Sequence, residues 1–384
     1  MEDDIVLKLL HTADWHLGRR FRSFGEEQEK RLTRARLEVL DRIFGLAERY
    51  AVDVVLCAGD LFDDHNPSRD WWEPVAEKLS SRRWKDRPVF LLPGNHDPLT
   101  VDSVWAPSHP FRAAVPAFVQ VVDQPLVEVP LAGGQAVLHA VPCLSKAGQK
   151  DPTESIPQRV AGDERVRIGL VHGSTYDVDN RLTNFPIAQD AAVARGLDYL
   201  AIGDTHGFRF VPPDREHPPT IYPGAPEATA FDEKDPGNVA VVFLSRQRRA
   251  TVRKERVARW TWEEREITTL ADLRVLARRT DLGERVLRLK VEMRVSAPDY
   301  QEAERLLEDL SGNAARQARV GVLELDRDGL ELDTASIEQH CEDLPDILRS
   351  TVRRLKLAAE DPDKRAAAER ALFHLYRVSR RKTG

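Results

Sequence analysis

The 384-residue sequence predicts an α/β protein with a mixed two-sheet core flanked by helices, then a small α+β unit and a helical C-terminal segment. Two observations lead there. Short, nearly continuous β-branched runs recur through residues 1–245: IVLKLLHTAD, VDVVLCAGD, PVFLLPGNHD, RVRIGLVHG and LDYLAIGDTHG. Such runs suit strands buried on both faces. Stretches with apolar residues at helical spacing separate the first of them, the alternation of an α/β domain.

Between the first two runs, Leu32, Leu37, Leu40, Phe44 and Ala47 form a stripe that predicts a helix over about Glu26 to Tyr50. A second helix is expected after Pro67, from Arg69 to Arg82. From Val119 to Pro142 the pattern becomes VQVVDQPLVEVP and QAVLHAVP around a Gly-Gly pair, which reads as antiparallel strands joined by a hairpin. Strands at Thr220–Tyr222 and Asn238–Leu244 complete a first domain at 1–245. The basic stretch Arg246–Arg259 reads as an exposed strand and linker. A domain at 255–335 then holds a strand in ERVLRLKVEMRVS, a helix over Asp299–Leu310, and a hairpin in VGVLELDRDGLELD turning at Asp328-Gly329. The segment 336–384 reads as two helices broken near Pro362. Leu348, Val352, Leu355 and Ala359 in one, and Ala368, Leu372 and Leu375 in the other, fall at coiled-coil spacing.

Composition narrows the function classes. No apolar run approaches the roughly 20 residues of a membrane helix. The N-terminus, MEDDIVLKLL, is acidic where a secretory signal is basic. Cys57, Cys143 and Cys341 are far apart and form no CxxC pair, which argues against a disulfide framework or zinc knuckle and fits a reducing cytoplasm. A net charge of −6 speaks against a protein that coats nucleic acid unaided. DNA binding would need bound cations, a local basic patch or a partner.

Five apolar runs end in polar residues that are costly there without a purpose. HTADWHLG carries Asp14 and His16, two apart, so an extended backbone would point both to one side. CAGDLFDD carries Asp60, and LPGNHDP carries Asn95, His96 and Asp97. LVHGS carries His172, and AIGDTHG carries Asp204 and His206. Turn chemistry favours Asp and Asn at single positions. Five clusters at five strand exits are better explained by one site, because ligands gather beyond the carboxyl ends of α/β strands. A carboxylate, imidazole and amide set suits hard divalent ions better than a thiolate site would.

The order D-x-H, G-D, G-N-H-D, H-G and G-x-x-H resembles the calcineurin-like metallophosphoesterase superfamily. Within it, HTADWHLG, GDLFDDHNPS and YPGAPEATAFDE resemble the SbcD type of DNA-repair nuclease, over about residues 1–245. The resemblance implies a two-sheet metallophosphoesterase sandwich with a capping domain and a partner-binding helical segment. It implies two divalent ions, Mn²⁺ or Mg²⁺. Asp14, His16, Asp60 and His206 would hold one; Asp60, Asn95, His172 and Asp204 would hold the other. His96 would be the general acid at the leaving oxygen, positioned by Asp97. Two such ions polarise a phosphodiester and make hydroxide available near neutrality. The implied activity is 3′-to-5′ exonuclease and single-strand endonuclease action on DNA, as a homodimer, with an SbcC-type SMC-like ATPase as partner. One position departs from the family pattern, whose last motif reads G-H-x-H. Here it is Gly203-Asp204-Thr205-His206, and the added negative charge is expected to favour Mn²⁺ or Mg²⁺ over Zn²⁺.

Weaker signals surround these. Arg19, Arg20 and Arg22 follow the first ligand pair and read either as phosphate contacts or as a solvated loop. His11 and His65 lie close to ligands and are equally compatible with structural roles. Residues 345–384 hold eleven Lys/Arg against five Asp/Glu, a basic helical pair whose apolar stripe favours a partner helix. Two other readings remain: a phosphatase or small-molecule phosphodiesterase on the same fold, and a weakly catalytic DNA-end-binding scaffold.

Overall fold

The computed structural model describes residues 4–80, 87–175, 184–213, 219–312, 318–333 and 346–380. Arg82, Cys341 and the expected helical stretch 336–345 lie outside them. The chain forms two compact units, Met1–Thr261 and Trp262–Gly384. Among the described residues no helix is long and apolar enough to cross a membrane.

In the first unit, β1 (Ile5–Thr12) is followed by α1 (Glu26–Arg49), β2 (Val54–Cys57), α2 (Arg69–Leu79) and β3 (Val89–Leu91). Next come α3 (Pro110–Ala114), β4 (Val119–Val121), β5 (Val127–Leu131), β6 (Ala136–Val141) and β7 (Val166–His172). The short β8 (Ser174–Thr175) and β9 (Pro186–Ile187) pair with each other, ahead of α4 (Ala191–Arg195) and β10 (Tyr199–Gly203). The unit continues with β11 (Arg209–Val211), β12 (Thr220–Tyr222), β13 (Asn238–Ser245) and β14 (Ala250–Arg256). One sheet has the order β14-β13-β1-β2-β3-β4, the other β11-β12-β10-β7-β6-β5.

Alternation along each strand builds the layers. Leu7, Leu9, Val54, Leu56 and Phe90 point between the sheets, onto Leu138, Ile168, Leu170, Ala201 and Ile221. Their neighbours Leu10, Val55, Cys57 and Leu91 point outward, onto Val39, Leu40, Ile43 and Phe44 of α1 and Val75 and Leu79 of α2. Both faces are dry, which is why these strands read as unbroken apolar runs. Cys57 and Cys143 are buried free thiols. Helix α1 also complements its own dipole, with Glu26, Glu27 and Glu29 in the first turn and Arg49 in the last. β1, β2, β3 and β4 pair in parallel, as do β6, β7, β10 and β12, so the exits of the motif-bearing strands gather.

One stretch divides differently from the sequence reading. VQVVDQPLVEVP is not one strand: β4 extends the first sheet beside β3, while β5 joins the second and forms the expected hairpin with β6.

The second unit carries the sheet β15-β16-β17, from β15 (Thr261–Ile267), β16 (Arg285–Val295) and β17 (Val322–Leu332). Helices α5 (Leu270–Ala277) and α6 (Ala297–Ser311) pack with it through Leu273, Leu276, Leu307 and Leu310. Helices α7 (Asp346–Ala359) and α8 (Arg365–Arg380) follow, and Val352 and Leu372 pack on Ala297 and Leu332. The hairpin expected at Asp328-Gly329 is absent. β17 is a single strand parallel to β16, in which Lys290 and Glu292 pair with Asp326 and Gly329. The extra residue is a bulge. It restores the face of Leu330 after the odd five-residue step from Leu325, which an unbroken pleat would have turned outward.

Candidate metal centre

The polar residues at the strand exits converge because the exits are hydrogen-bonded to each other. Beyond β1, Asp14 N donates to Gly59 O (3.1 Å), His16 N to Asp60 O (3.0 Å) and Leu17 N to Leu61 O (3.0 Å), so the loops after β1 and β2 run side by side. Asp14 and His16 do not share a face through an extended backbone, as their spacing suggested. Both take positive φ, 54° and 44°, and so do Asp60 (52°) and Asp204 (102°). Left-handed backbone at a non-glycine residue costs of order 1–3 kcal/mol and concentrates where geometry serves function. Glycines let the segments touch: a Cβ on Gly59 would lie 2.2 Å from His172 Nδ1, and one on Gly203 2.1 Å from Ala58 O.

The side chains meet in three overlapping groups, of which His16, Asp63 and His96 form the one at the rim and the other two lie deeper. In the first, Asp14, His16 and His206 offer donor atoms within 4.8 Å of one another. His16 Nε2 lies 3.0 Å from His206 Nε2 and 3.7 Å from Asp60 Oδ2. In the second, Asp14, Asp60 and His172 meet the same limit. His172 Nε2 lies 2.7 Å from Asn95 Oδ1, 3.5 Å from Asp60 Oδ2 and 3.7 Å from Asp204 Oδ1. Asp14 is common to both, and Asp60 Oδ2 reaches from the second towards His16 of the first. Asp14 is fully buried and accepts from Asp204 N (3.0 Å). Asp14, His16, Asp60, Asn95, His172, Asp204 and His206 are all brought together.

The electrostatics fit divalent cations. Burial pushes the Asp14 carboxyl up to about 7, although His206 and His172 pull it down. Burial likewise raises Asp204. Burial opposes ionisation of Asp60 too, but His172, His16 and His96 prevail and hold it well below the usual carboxylate range. His16 is lowered to about 4 by burial, so its inward nitrogen is an open lone pair. His172 is raised despite burial, by Asp60 and then Asp14. Carboxylates crowded out of water and interleaved with imidazole nitrogens are a donor set that a divalent ion would neutralise.

His96 sits at the rim, its side chain 42% exposed. Its backbone N donates to Asp60 Oδ1 (2.9 Å), and its Nδ1 lies 3.3 Å from Asp63 O. Asp97 does not face the His96 ring as expected. It is fully buried, and its carboxylate accepts from Gly94 N (2.8 Å) and Phe62 N (2.9 Å), tying the GNHD loop to the exit of β2. Asp63 faces the ring instead, with Oδ1 3.9 Å from His96 Nδ1 and 3.1 Å from His16 Nδ1. It went unassigned, although a second carboxylate three residues after Asp60 in GDLFD could have marked it. Glu233, 2.6 Å from His206 Nδ1, was also missed despite lying within YPGAPEATAFDE.

Of the three arginines, Arg19 reaches the site through Asp63 (3.3 Å), Arg20 pairs with Glu29, and Arg22 is exposed. His11 is buried against Tyr199 OH (2.9 Å), and His65 lies beside Asp64 and Asp102.

Two sheets whose exits deliver carboxylate, amide and imidazole donors to one buried centre define a metal-dependent hydrolase. The family model "Calcineurin-like phosphoesterase" matches residues 7–208, and the chain belongs to that family. It is 26% identical over 236 residues to the "Uncharacterized metallophosphoesterase YhaO" of Bacillus subtilis, covering 59% of this chain and 55% of that protein. It is 38% identical over 93 residues to the SbcD component of the nuclease SbcCD of Bacillus subtilis, covering 24% of this chain and 22% of that protein. The chain therefore spans about half the length of the first relative and less than a quarter of the second. A solved structure, TT1561 of Thermus thermophilus, is similar at 12% identity and a TM-score of 0.39, covering 65% of this chain and 99% of that one.

Proposed function

We propose that this phosphoesterase is a two-metal DNA nuclease of the SbcD type, working with Mn²⁺. What carries the reading is one observation: seven donor side chains from five separate segments face a common buried centre, with a half-exposed histidine at its rim. Asp14, His16, Asp60 and His206 would hold one ion, and Asp60, Asn95, His172 and Asp204 the other. Bound there, the ions would activate water and neutralise charge on a phosphodiester.

The chain's own groups do the rest. With His96 doubly protonated, its Nδ1–H is held by the Asp63 carbonyl, and its Nε2–H is the proton available to the departing oxygen. Arg19, paired with Asp63, is placed to meet a phosphate of the incoming strand. Exposure of His96 suits a polymer substrate that lies across the rim. The similarity to the SbcCD nuclease supports DNA as that polymer. It also supports an SMC-like coiled-coil ATPase as partner, for which α7 and α8 offer exposed Ile347, Leu357 and Val378. A homodimer and a cytoplasmic location belong to the same reading, with DNA selection assigned to the second unit.

The test uses the purified chain with Mn²⁺ on end-labelled duplex and single-stranded DNA, and in parallel on bis(p-nitrophenyl) phosphate. DNA cleavage by the wild type, reduced roughly 10²–10⁴-fold in His96→Ala, supports the nuclease. Turnover of the small ester alone supports a small-molecule phosphodiesterase. DNA binding without cutting supports a scaffold, and either of these outcomes overturns the proposal.

A further inference from the structure

The three imidazoles of the centre share one arrangement. Each turns Nε2 inward and presents Nδ1 to an acceptor on its far side: Asp63 Oδ1 for His16 (3.1 Å), Ala58 O for His172 (2.8 Å) and Glu233 Oε1 for His206 (2.6 Å). A carbonyl or ionised carboxylate only accepts, so Nδ1 carries a proton in each ring, and the neutral imidazole that would bind a metal has its lone pair on the inward Nε2. For His206 the acceptor is itself held. Thr229 N donates to Glu233 Oε2 (2.9 Å), and the Thr229 hydroxyl donates to Glu233 Oε1. That hydroxyl, 3.0 Å from His206 Nδ1, has spent its hydrogen and can only accept there as well.

The loop beneath is braced by buried charge. The Arg36 guanidinium, 2% exposed, donates to the carbonyls of Glu227 and Ala228, directly before Thr229. The Glu227 carboxylate, also 2% exposed, accepts from Arg42, Arg259 N and Trp260 N. Two buried ionic groups are a costly way to shape a loop unless its position matters. Thr229 and Glu233 are what that loop delivers.

We propose that Glu233, gripped by Thr229, is a positioning residue for His206: it fixes the Nδ1–H tautomer and aims the Nε2 lone pair at one of the two ions. The proposal rests on the two-metal reading but makes a separate claim, that one ion alone depends on Glu233. Groups that orient a metal-bound histidine in this way typically contribute 10–100-fold in affinity.

The experiment is calorimetric titration of the metal-free full chain with Mn²⁺ alone. The variants are Glu233→Ala, Glu233→Gln and Thr229→Val, with thermal unfolding of each before metal is added. The expected wild-type result is two binding events. Glu233→Ala weakens one of them by roughly 10–100-fold and leaves the other near its wild-type affinity. Glu233→Gln loses less, because an amide oxygen still accepts from Nδ1–H without the charge, and Thr229→Val shifts the same event in the same direction. These two variants keep the test decisive should Glu233→Ala fail to fold. Equal weakening of both events, or none in any folded variant, overturns the positioning role and leaves the two-metal reading intact. A wild type that binds fewer than two ions overturns the two-metal reading itself.

Discussion

Gly94 brings its loop hard against Asp60, and replacing it with alanine tests whether Asp60 must stand where it does. The added methyl would lie 2.1 Å from Asp60 Oδ1 and 2.3 Å from Asp60 N. Carbon contacts sit near 3.5–4.0 Å, so one side must give way by about 1 Å or more. Asp60 has little freedom to do so. Its carbonyl accepts from His16 N, its Oδ1 accepts from His96 N (2.9 Å), and its φ is already 52°. Overpacking of this size costs typically 1–3 kcal/mol, which a domain survives. Misplacing the shared carboxylate by about 1 Å costs on the order of 10²-fold in rate. Gly45→Ala is the matched control: nothing lies within 4 Å of its Cβ in α1, and it should stabilise by roughly 0.5–1 kcal/mol with no effect on rate. The assay is Mn²⁺-supported hydrolysis of bis(p-nitrophenyl) phosphate, with urea unfolding in parallel. A folded Gly94→Ala enzyme within about threefold of wild type would refute the reasoning.

Three further outcomes are expected. Burial lowers His11 to about 3 from 6.5, so between those values the unfolded chain holds a proton that the folded chain lacks. Stability from this group is full above 6.5 and is lost as pH falls, at up to about 1.4 kcal/mol per pH unit. In urea unfolding of the metal-free chain, His11→Gln should show a correspondingly shallower slope over pH 4–6, and an unchanged slope would count against it. Asp97→Ala leaves the Gly94 and Phe62 N–H groups buried without their acceptor, at about 1–3 kcal/mol each. Asp97→Asn should lose less, as the urea midpoints will report. Asp204→His removes a negative charge from the second donor group and should raise the Zn²⁺-supported rate relative to Mn²⁺; an unmoved ratio would show that the carboxylate does not set preference.

What could be read from the sequence was what depends on local pattern. Runs such as VDVVLCAGD announce a strand dry on both faces, and the polar cluster at each exit stands out against them. Which sheet a strand joins is not local. Asp123 and Pro125 in VQVVDQPLVEVP mark a break between β4 and β5, but not which sheet each joins, because pairing with β3 or β6 is decided by residues far away in sequence. Asp328-Gly329 carries the strongest short hairpin signal, yet pairing with β16 absorbs it as a bulge. At the centre, the identities of the gathered side chains were legible, and the means of gathering were not. Asp14 and His16 come together through left-handed backbone that their spacing does not encode. Asp97 adjoins His96 in sequence, but its burial commits it to two backbone amides, and Asp63 takes the position facing the ring. Glu233 stands in YPGAPEATAFDE, but its contact with His206 depends on a loop braced by Arg36, which the run of residues alone does not show.

Anomalous diffraction from crystals grown with Mn²⁺ bears most directly on whether these donors form one binuclear centre. Two peaks are predicted, one beside Asp14, His16 and His206, the other beside Asn95, His172 and Asp204, with Asp60 between them. A lone peak away from Asp60, or no peak at saturating Mn²⁺, would contradict the account.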